Sequence, residues 1–269
     1  MQATAGHPIT LVRGQSSKIL LLNPNSSPSM TDGMKNVINN IDIPYSTEVY
    51  TYTGPPSAPS SINDGHDIQK SEDAVLADLD GNTVRQYHGI VVACFSVHPL
   101  VSKLQELSGP QTSVTGIFEA SVLAAMSLLG PNQKWGIVTT GKFWEDHLSD
   151  GVKHFLGVET DQDNVKFAGV ESTGLNAGDF HHGVDPEVIR QKLKQATHRL
   201  LEKGDVHVIV MGCAGMAGLE EIIREAAREK LGDEFAHSTL HVVDGVRAGI
   251  MQIDHMIRYQ RLRPRQGKA

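Results

Sequence analysis

The chain repeats itself once. Asn23, Gly54 and Cys94 stand at the ends of three strand-like runs. Thr140, Gly174 and Cys213 stand at the ends of three more in the same order, 117, 120 and 119 residues further on. Three features in one order at nearly one offset describe a duplicated unit, so the fold must be built from two similar halves.

Within each half the unit is strand, loop, helix. Lys18 to Leu22 is an almost unbroken apolar run, the pattern of a strand buried on both faces of a parallel sheet. It breaks at Asn23-Pro24-Asn25-Ser26-Ser27, and the spacing predicts a helix from Ser29 or Thr31 to Asn39. Residues 47–52 are β-rich, helical spacing covers 71–87 despite Gly81, and the run 89–93 ends at Cys94. The second half replays this with strands at 135–138 and 165–170, an amphipathic helix over 186–203, and the run 208–212 ending at Cys213. A looser fourth pair, 112–115 and 239–243, leads into apolar helices at 120–129 and 248–259, which should be buried between the halves. Strands alternating with helices predict an α/β fold of two similar doubly wound domains with parallel sheets.

At 269 residues, 39% apolar and 20% charged, the chain can bury a core as one large domain or two small ones. A formal net charge of −7 argues against nucleic acid as a partner and gives no attraction to an anionic membrane. No apolar stretch approaches the roughly 20 residues that cross a bilayer. Residues 1–17 lack the apolar segment of a secretory signal and read as a flexible tail. Two well-separated cysteines suit a reducing compartment. The expectation is a cytoplasmic homo-oligomer acting on a small-molecule substrate.

Those two cysteines are the only ones in the chain. A free cysteine is often just a small buried hydrophobe. Two at equivalent strand ends, on the edge where parallel sheets bind ligands, argue for a pair acting on one molecule. Two acids facing across a cleft can take a proton from one face of a carbon and return one to the other. The stretch Cys94-Phe95-Ser96-Val97-His98-Pro99 reads as a helix start, with Ser96 as N-cap, so the helix dipole and free N–H groups should lower the Cys94 thiol. Cys213-Ala214-Gly215-Met216-Ala217-Gly218 leads from strand to helix through small residues that let a ligand approach the backbone.

Removing a proton beside a carbonyl leaves an enolate, which aimed donors stabilise. Ser96 Oγ, Thr140 Oγ and the Asn23 amide are the side-chain donors this topology places best, although such residues also favour turns on their own account. His98 is a candidate to tune Cys94, and Glu119 to approach the cleft or cap its helix. His181-His182 has no partner at metal-ligand spacing, so no metal site is expected. Neither GxGxxG nor GxxxxGK[ST] occurs, so no motif supports a nucleotide cofactor.

Taken together, Leu22-Asn23-Pro24-Asn25-Ser26-Ser27, Ala93-Cys94-Phe95-Ser96, Val138-Thr139-Thr140 and Met211-Gly212-Cys213-Ala214-Gly215-Met216 resemble the Asp/Glu/hydantoin racemase superfamily, closest to its hydantoin and allantoin racemase branch. The resemblance covers nearly the whole chain after residue 17. It implies two α/β halves related by a pseudo-twofold axis, an active site in the cleft between them, no cofactor, and two cysteines as opposed acid and base. By position Cys94 and Cys213 would be that pair. The amides after each would grip substrate carbonyls, giving a substrate-binding set of Asn23, Phe95, Ser96, Thr139, Thr140, Ala214 and Gly215.

The resemblance also implies a crossing chain: 18–116 with 246–262 as the first domain, 117–245 as the second, and 263–269 as a tail. The expected activity is a cofactor-independent racemase or epimerase of a cyclic ureide such as a 5-substituted hydantoin or allantoin. The alternatives are an amino-acid racemase, a maleate isomerase-like enzyme, or a non-catalytic binding module. One departure bears on the substrate: Val97-His98-Pro99-Leu100 stands where bacterial hydantoin racemases carry an Asp-Pro-Gly-like stretch.

Overall fold

The computed structural model describes residues 16–41, 47–159, 162, 164–181 and 183–263. Two four-stranded, all-parallel sheets organise the chain. The first holds β1 (Ser17–Asn23), β2 (Thr47–Thr53), β3 (Gly89–Val92) and β4 (Ser113–Gly116) in the order β2-β1-β3-β4. The second holds β5 (Lys134–Thr139), β6 (Phe167–Ser172), β7 (Val206–Met211) and β8 (His241–Asp244) in the matching order β6-β5-β7-β8. The strand order turns back at β1/β3 and again at β5/β7, and such switch points open a crevice at the carboxyl ends of the strands.

The helices in chain order are α1 (Pro28–Asn39), α2 (Gly65–Asp78), α3 (Gly81–Val84), α4 (Leu100–Ser108), α5 (Ile117–Leu128), α6 (Phe143–Leu156), α7 (Pro186–Leu201), α8 (Glu220–Leu231) and α9 (Gly245–Arg261). The helix expected over 71–87 is instead two. Asp64 caps the start of α2 through Asp67 N–H, and Asp80 ends the run by capping α3 through Thr83 N–H.

Alternation along the buried strands explains the continuous apolar runs. Ile19, Leu21 and Val91 face a central core shared with Trp135, Ile137, Val208 and Val210 of the second sheet. Leu20, Leu22, Ile90 and Val92 face an outer layer with Val75, Leu100 and Leu104. Val138, Ile209 and Met211 do the same beneath α7 and α8. With both faces covered, neither needs polar residues.

The central layer contains α5 and α9, packed on each other. α5 rests on β7 and β8, whereas α9 returns to β3 and β4. The return is close: a Cβ on Gly249 would lie 2.7 Å from Val91 Cγ1, so only glycine lets α9 sit this near β3. On that packing we propose the division into 18–116 with 246–262 and 117–245. The segments read as tails lie largely outside the described residues; Ser17, assigned to the first, is the opening residue of β1. Among the described residues no helix is long and apolar enough to cross a membrane.

Candidate active site

One small cavity lies where the carboxyl ends of the two sheets meet. Its walls include Cys94 and Phe95 after β3, Cys213, Ala214 and Gly215 after β7, and Thr140 after β5. Asn25, Met30, Ile62, Ala93, Trp144, Ala177 and Gly212 complete them. The cavity measures about 30 Å³, room for little more than a water molecule. Two loops close it. Ala177 N–H donates to Asn63 Oδ1 at 3.3 Å and Gly178 N–H to Ser61 Oγ at 3.1 Å, tying the loop after β2 to the turn after β6.

The sulfurs have different donors. Ser96 Oγ–H donates to Cys94 Sγ at 3.1 Å. Gly215 N–H donates to Cys213 Sγ at 3.3 Å, because Cys213 is itself the N-cap of a single 3₁₀ turn, Ala214–Met216. Each cysteine keeps some surface toward the cavity. The protein packed around each sulfur nonetheless disfavours a bare anion. Burial pushes the Cys94 thiol up to about 12, only partly offset by the Ser96 hydroxyl, with the neighbouring Cys213 adding to the rise. Burial pushes Cys213 up to about 11, partly offset by the N–H groups of Gly215 and Met216.

This corrects the expectation of a lowered Cys94 thiol. α4 begins only at Leu100, with Pro99 in the cap position and no side-chain cap. Cys94 is therefore too far from that helix to feel its N-terminus. Ser96, expected as the N-cap, gives its hydroxyl to the sulfur instead.

His98 also turns away from Cys94. Its Nδ1 accepts from Leu100 N–H at 3.2 Å, so the proton sits on Nε2, which donates to Ser71 Oγ at 2.9 Å. Burial with no charged partner pushes His98 down to about 3, so the ring is a neutral structural link to α2.

Of the expected substrate-binding residues, Phe95, Thr140, Ala214 and Gly215 line the cavity. Asn23, Ser96 and Thr139 lie behind it. The Asn23 amide reaches Asn25 Oδ1 and Thr31 Oγ1 at 3.0 Å, and its oxygen accepts from Asn25 N–H at 3.2 Å, so it builds the turn. Thr139 Oγ–H donates to the Gly212 carbonyl at 2.8 Å, bracing the strand end that carries Cys213. Glu119 is outside the cavity, in the first turn of α5, and burial raises its carboxyl. His181 packs between Gly33 and Gly215; His182 is not among the described residues. Among the described residues no cluster of three His, Cys, Asp or Glu side chains is placed to hold a metal ion.

Sequence reasoning missed seven lining residues, two of which, Ala93 and Gly212, directly precede the cysteines. Asn25 was within reach, because the Asn-Pro-Asn turn was recognised and only its first member chosen. Trp144 sits in the first turn of α6, just past Thr139-Thr140-Gly141, a weak signal. Met30, Ile62 and Ala177 come from a helix and two loops brought in by packing, and nothing local marks them.

The family model described as Asp/Glu/Hydantoin racemase matches residues 19–253. An uncharacterized protein of Schizosaccharomyces pombe is 32% identical over 250 residues, covering 93% of this chain and 96% of its own. A hydantoin racemase of a Pseudomonas species is 26% identical, covering 87% and 83%. The crystal structure of an allantoin racemase from Pseudomonas fluorescens shares the fold with a TM-score of 0.71 at 23% identity, covering 94% and 99%.

Proposed function

Because the chain belongs to the Asp/Glu/hydantoin racemase family, a family of racemases and isomerases, we propose that it racemises a neutral cyclic ureide such as a 5-substituted hydantoin or allantoin. Cys94 and Cys213 are the two proton carriers in this reading. The observation that carries it is the single cavity lined by both cysteines, one from each of the two equivalent strand ends.

The C5 proton of such a ring is acidified by the adjacent carbonyl, so a thiolate is a sufficient base without an electron-sink cofactor. The base takes that proton, and the C–H electron pair moves onto the carbonyl oxygen as an enolate. The opposite thiol then protonates the other face of C5. Backbone N–H groups can only donate, so the cradle of Gly215 and Met216 favours Cys213 as thiolate. The Ser96 hydroxyl can turn to accept from an S–H, so Cys94 is suited to wait as the acid.

The lining also bears on the substrate. Among the described residues around the cavity none is cationic, whereas Met30, Ile62, Phe95 and Trp144 present apolar surface. A substrate carboxylate there would be buried without a partner charge, which is costly. This supports a neutral ring over an amino acid or a dicarboxylate.

The test is racemisation of enantiopure hydantoins, allantoin and free amino acids in deuterated water, followed by circular dichroism and mass. The wild type should place solvent deuterium at the stereocentre, and Cys94→Ala and Cys213→Ala should each abolish inversion. Full activity in either variant would overturn the two-base reading.

A further inference from the structure

The Ser96 residue is fully buried and uses both of its polar ends. Its hydroxyl serves Cys94 Sγ. Its carbonyl lies 2.8 Å from His147 Nε2 of α6, a helix of the second half. A carbonyl only accepts, so that nitrogen carries the proton and donates. The imidazole is held in place in turn: it stacks on Phe143 at 5.2 Å and meets the edge of Trp144 at 5.6 Å. Trp144 is a wall of the cavity.

The next residue shows what this grip opposes. Val97 has φ +52°, a left-handed conformation that a β-branched side chain adopts only when its surroundings impose it. Val97 fits where α6 has no side chain: a Cβ on Gly151 would lie 2.5 Å from Val97 Cγ2. Gly151 is four residues beyond His147, so the donor and the notch lie on one face of α6, a turn apart. One helix of the second half thus holds the Ser96–Val97 peptide of the first half at two points.

We infer that His147 is a positioning residue for Cys94: by fixing the Ser96 carbonyl from across the cleft, it keeps the Ser96 hydroxyl directed at the Cys94 sulfur. The inference rests on the reading of Cys94 as a proton carrier. On this account the Cys94 arm of the site is complete only when α6 is seated against it. Cys213, held by the N–H groups of its own turn, needs no such support.

The chain has two cysteines and therefore two S–H oscillators, so infrared absorption of the full-length protein reports each thiol, assigned by Cys94→Ala and Cys213→Ala. Ser96→Ala should shift the Cys94 band. His147→Phe keeps a planar ring but loses the donor, and should shift that band similarly. The double variant should shift it no further, and His147→Gln, which retains a donor, should stay near wild type. The Cys213 band should not move.

An unmoved Cys94 band in His147→Phe, or movement of both bands together, would overturn the inference. If His147→Phe does not fold, Gly151→Ala, which drives Val97 from its notch, is judged by the same two bands. This readout needs no turnover. Absence of solvent deuterium in 5-methylhydantoin exposed to the wild type would count against the racemase reading alone.

Discussion

Ser96 donates to the sulfur of Cys94 at 3.1 Å, and among the described residues this hydroxyl is the only side-chain donor to either thiol. Its partner across the cavity, Cys213, is served by backbone. The two halves are alike in strand order, but the two thiols are not chemically equivalent.

Removing the hydroxyl should therefore cost one half-reaction. Ser96→Ala is expected to lower kcat for racemisation about tenfold, the worth of one net hydrogen bond. KM should change little, because Ser96 lies behind the cavity wall. Polarimetry with either enantiomer checks this.

Activity should rise with pH. Burial holds Cys213 at about 11 and Cys94 at about 12, so near neutrality the free protein has both thiols protonated and little thiolate base. kcat/KM reports ionisation of the free enzyme, and below the pKa of its base it should rise about tenfold per pH unit. A profile flat from about pH 6 to 8.5 would contradict this assignment.

The same thiols should make the fold sensitive to alkali. Each has a folded value above its unfolded value of about 9, so between that pH and its folded value the unfolded chain has lost a proton that the folded chain retains. Stability is then fully present below about pH 9 and falls as pH rises toward 12, by on the order of a few kcal/mol. Urea unfolding at about pH 8 and about pH 10 should show the decline, and Cys94→Ala should reduce it.

His98 should act at the acid end with the opposite sign. Its folded value of about 3 is depressed below the usual 6.5 by burial. The unfolded chain gains a proton first, so stability present above about 6.5 is lost as pH falls toward 3. His98→Gln should flatten the acid limb of a Tm-against-pH curve, at the cost of some stability at neutral pH.

The closing loops give a further prediction. Ser61→Ala with Asn63→Ala removes the two side chains that hold Gly178 and Ala177. Thermal stability should fall by roughly 1–3 kcal/mol, the sum of two net hydrogen bonds. KM should rise several-fold, because the cover over the cavity is less firmly seated. Unchanged KM and Tm would mean that the loops contribute nothing to closure.

How far the chain could be read depended on how local each signal was. Buried parallel strands advertise themselves through runs such as Ile19 to Leu22, since both faces are covered and every residue can be apolar. The cysteines were legible because the duplication put them at equivalent strand ends. Ser96 and Pro99 carry capping chemistry that suggests a helix start at Cys94, but the chain bends at 95–96 and runs irregularly through 97–98 before α4 begins at Leu100. Asn23 was chosen over Asn25 because the residue type is the same, and only the packing shows which amide the turn consumes.

Sequence alone determined the two halves, the succession of strands and helices along each, and the equivalent positions of the two cysteines, because periodicity and turn chemistry act over a few residues and the repeat doubles each signal. Tertiary structure alone decided how those thiols titrate and what surrounds them. Burial, the Ser96 rotamer, the reach of His147 to the Ser96 carbonyl and the tie between Asn63 and Ala177 depend on groups far apart in the chain. Such contacts exist only once two separately wound sheets have packed against each other, and no local pattern encodes their distances.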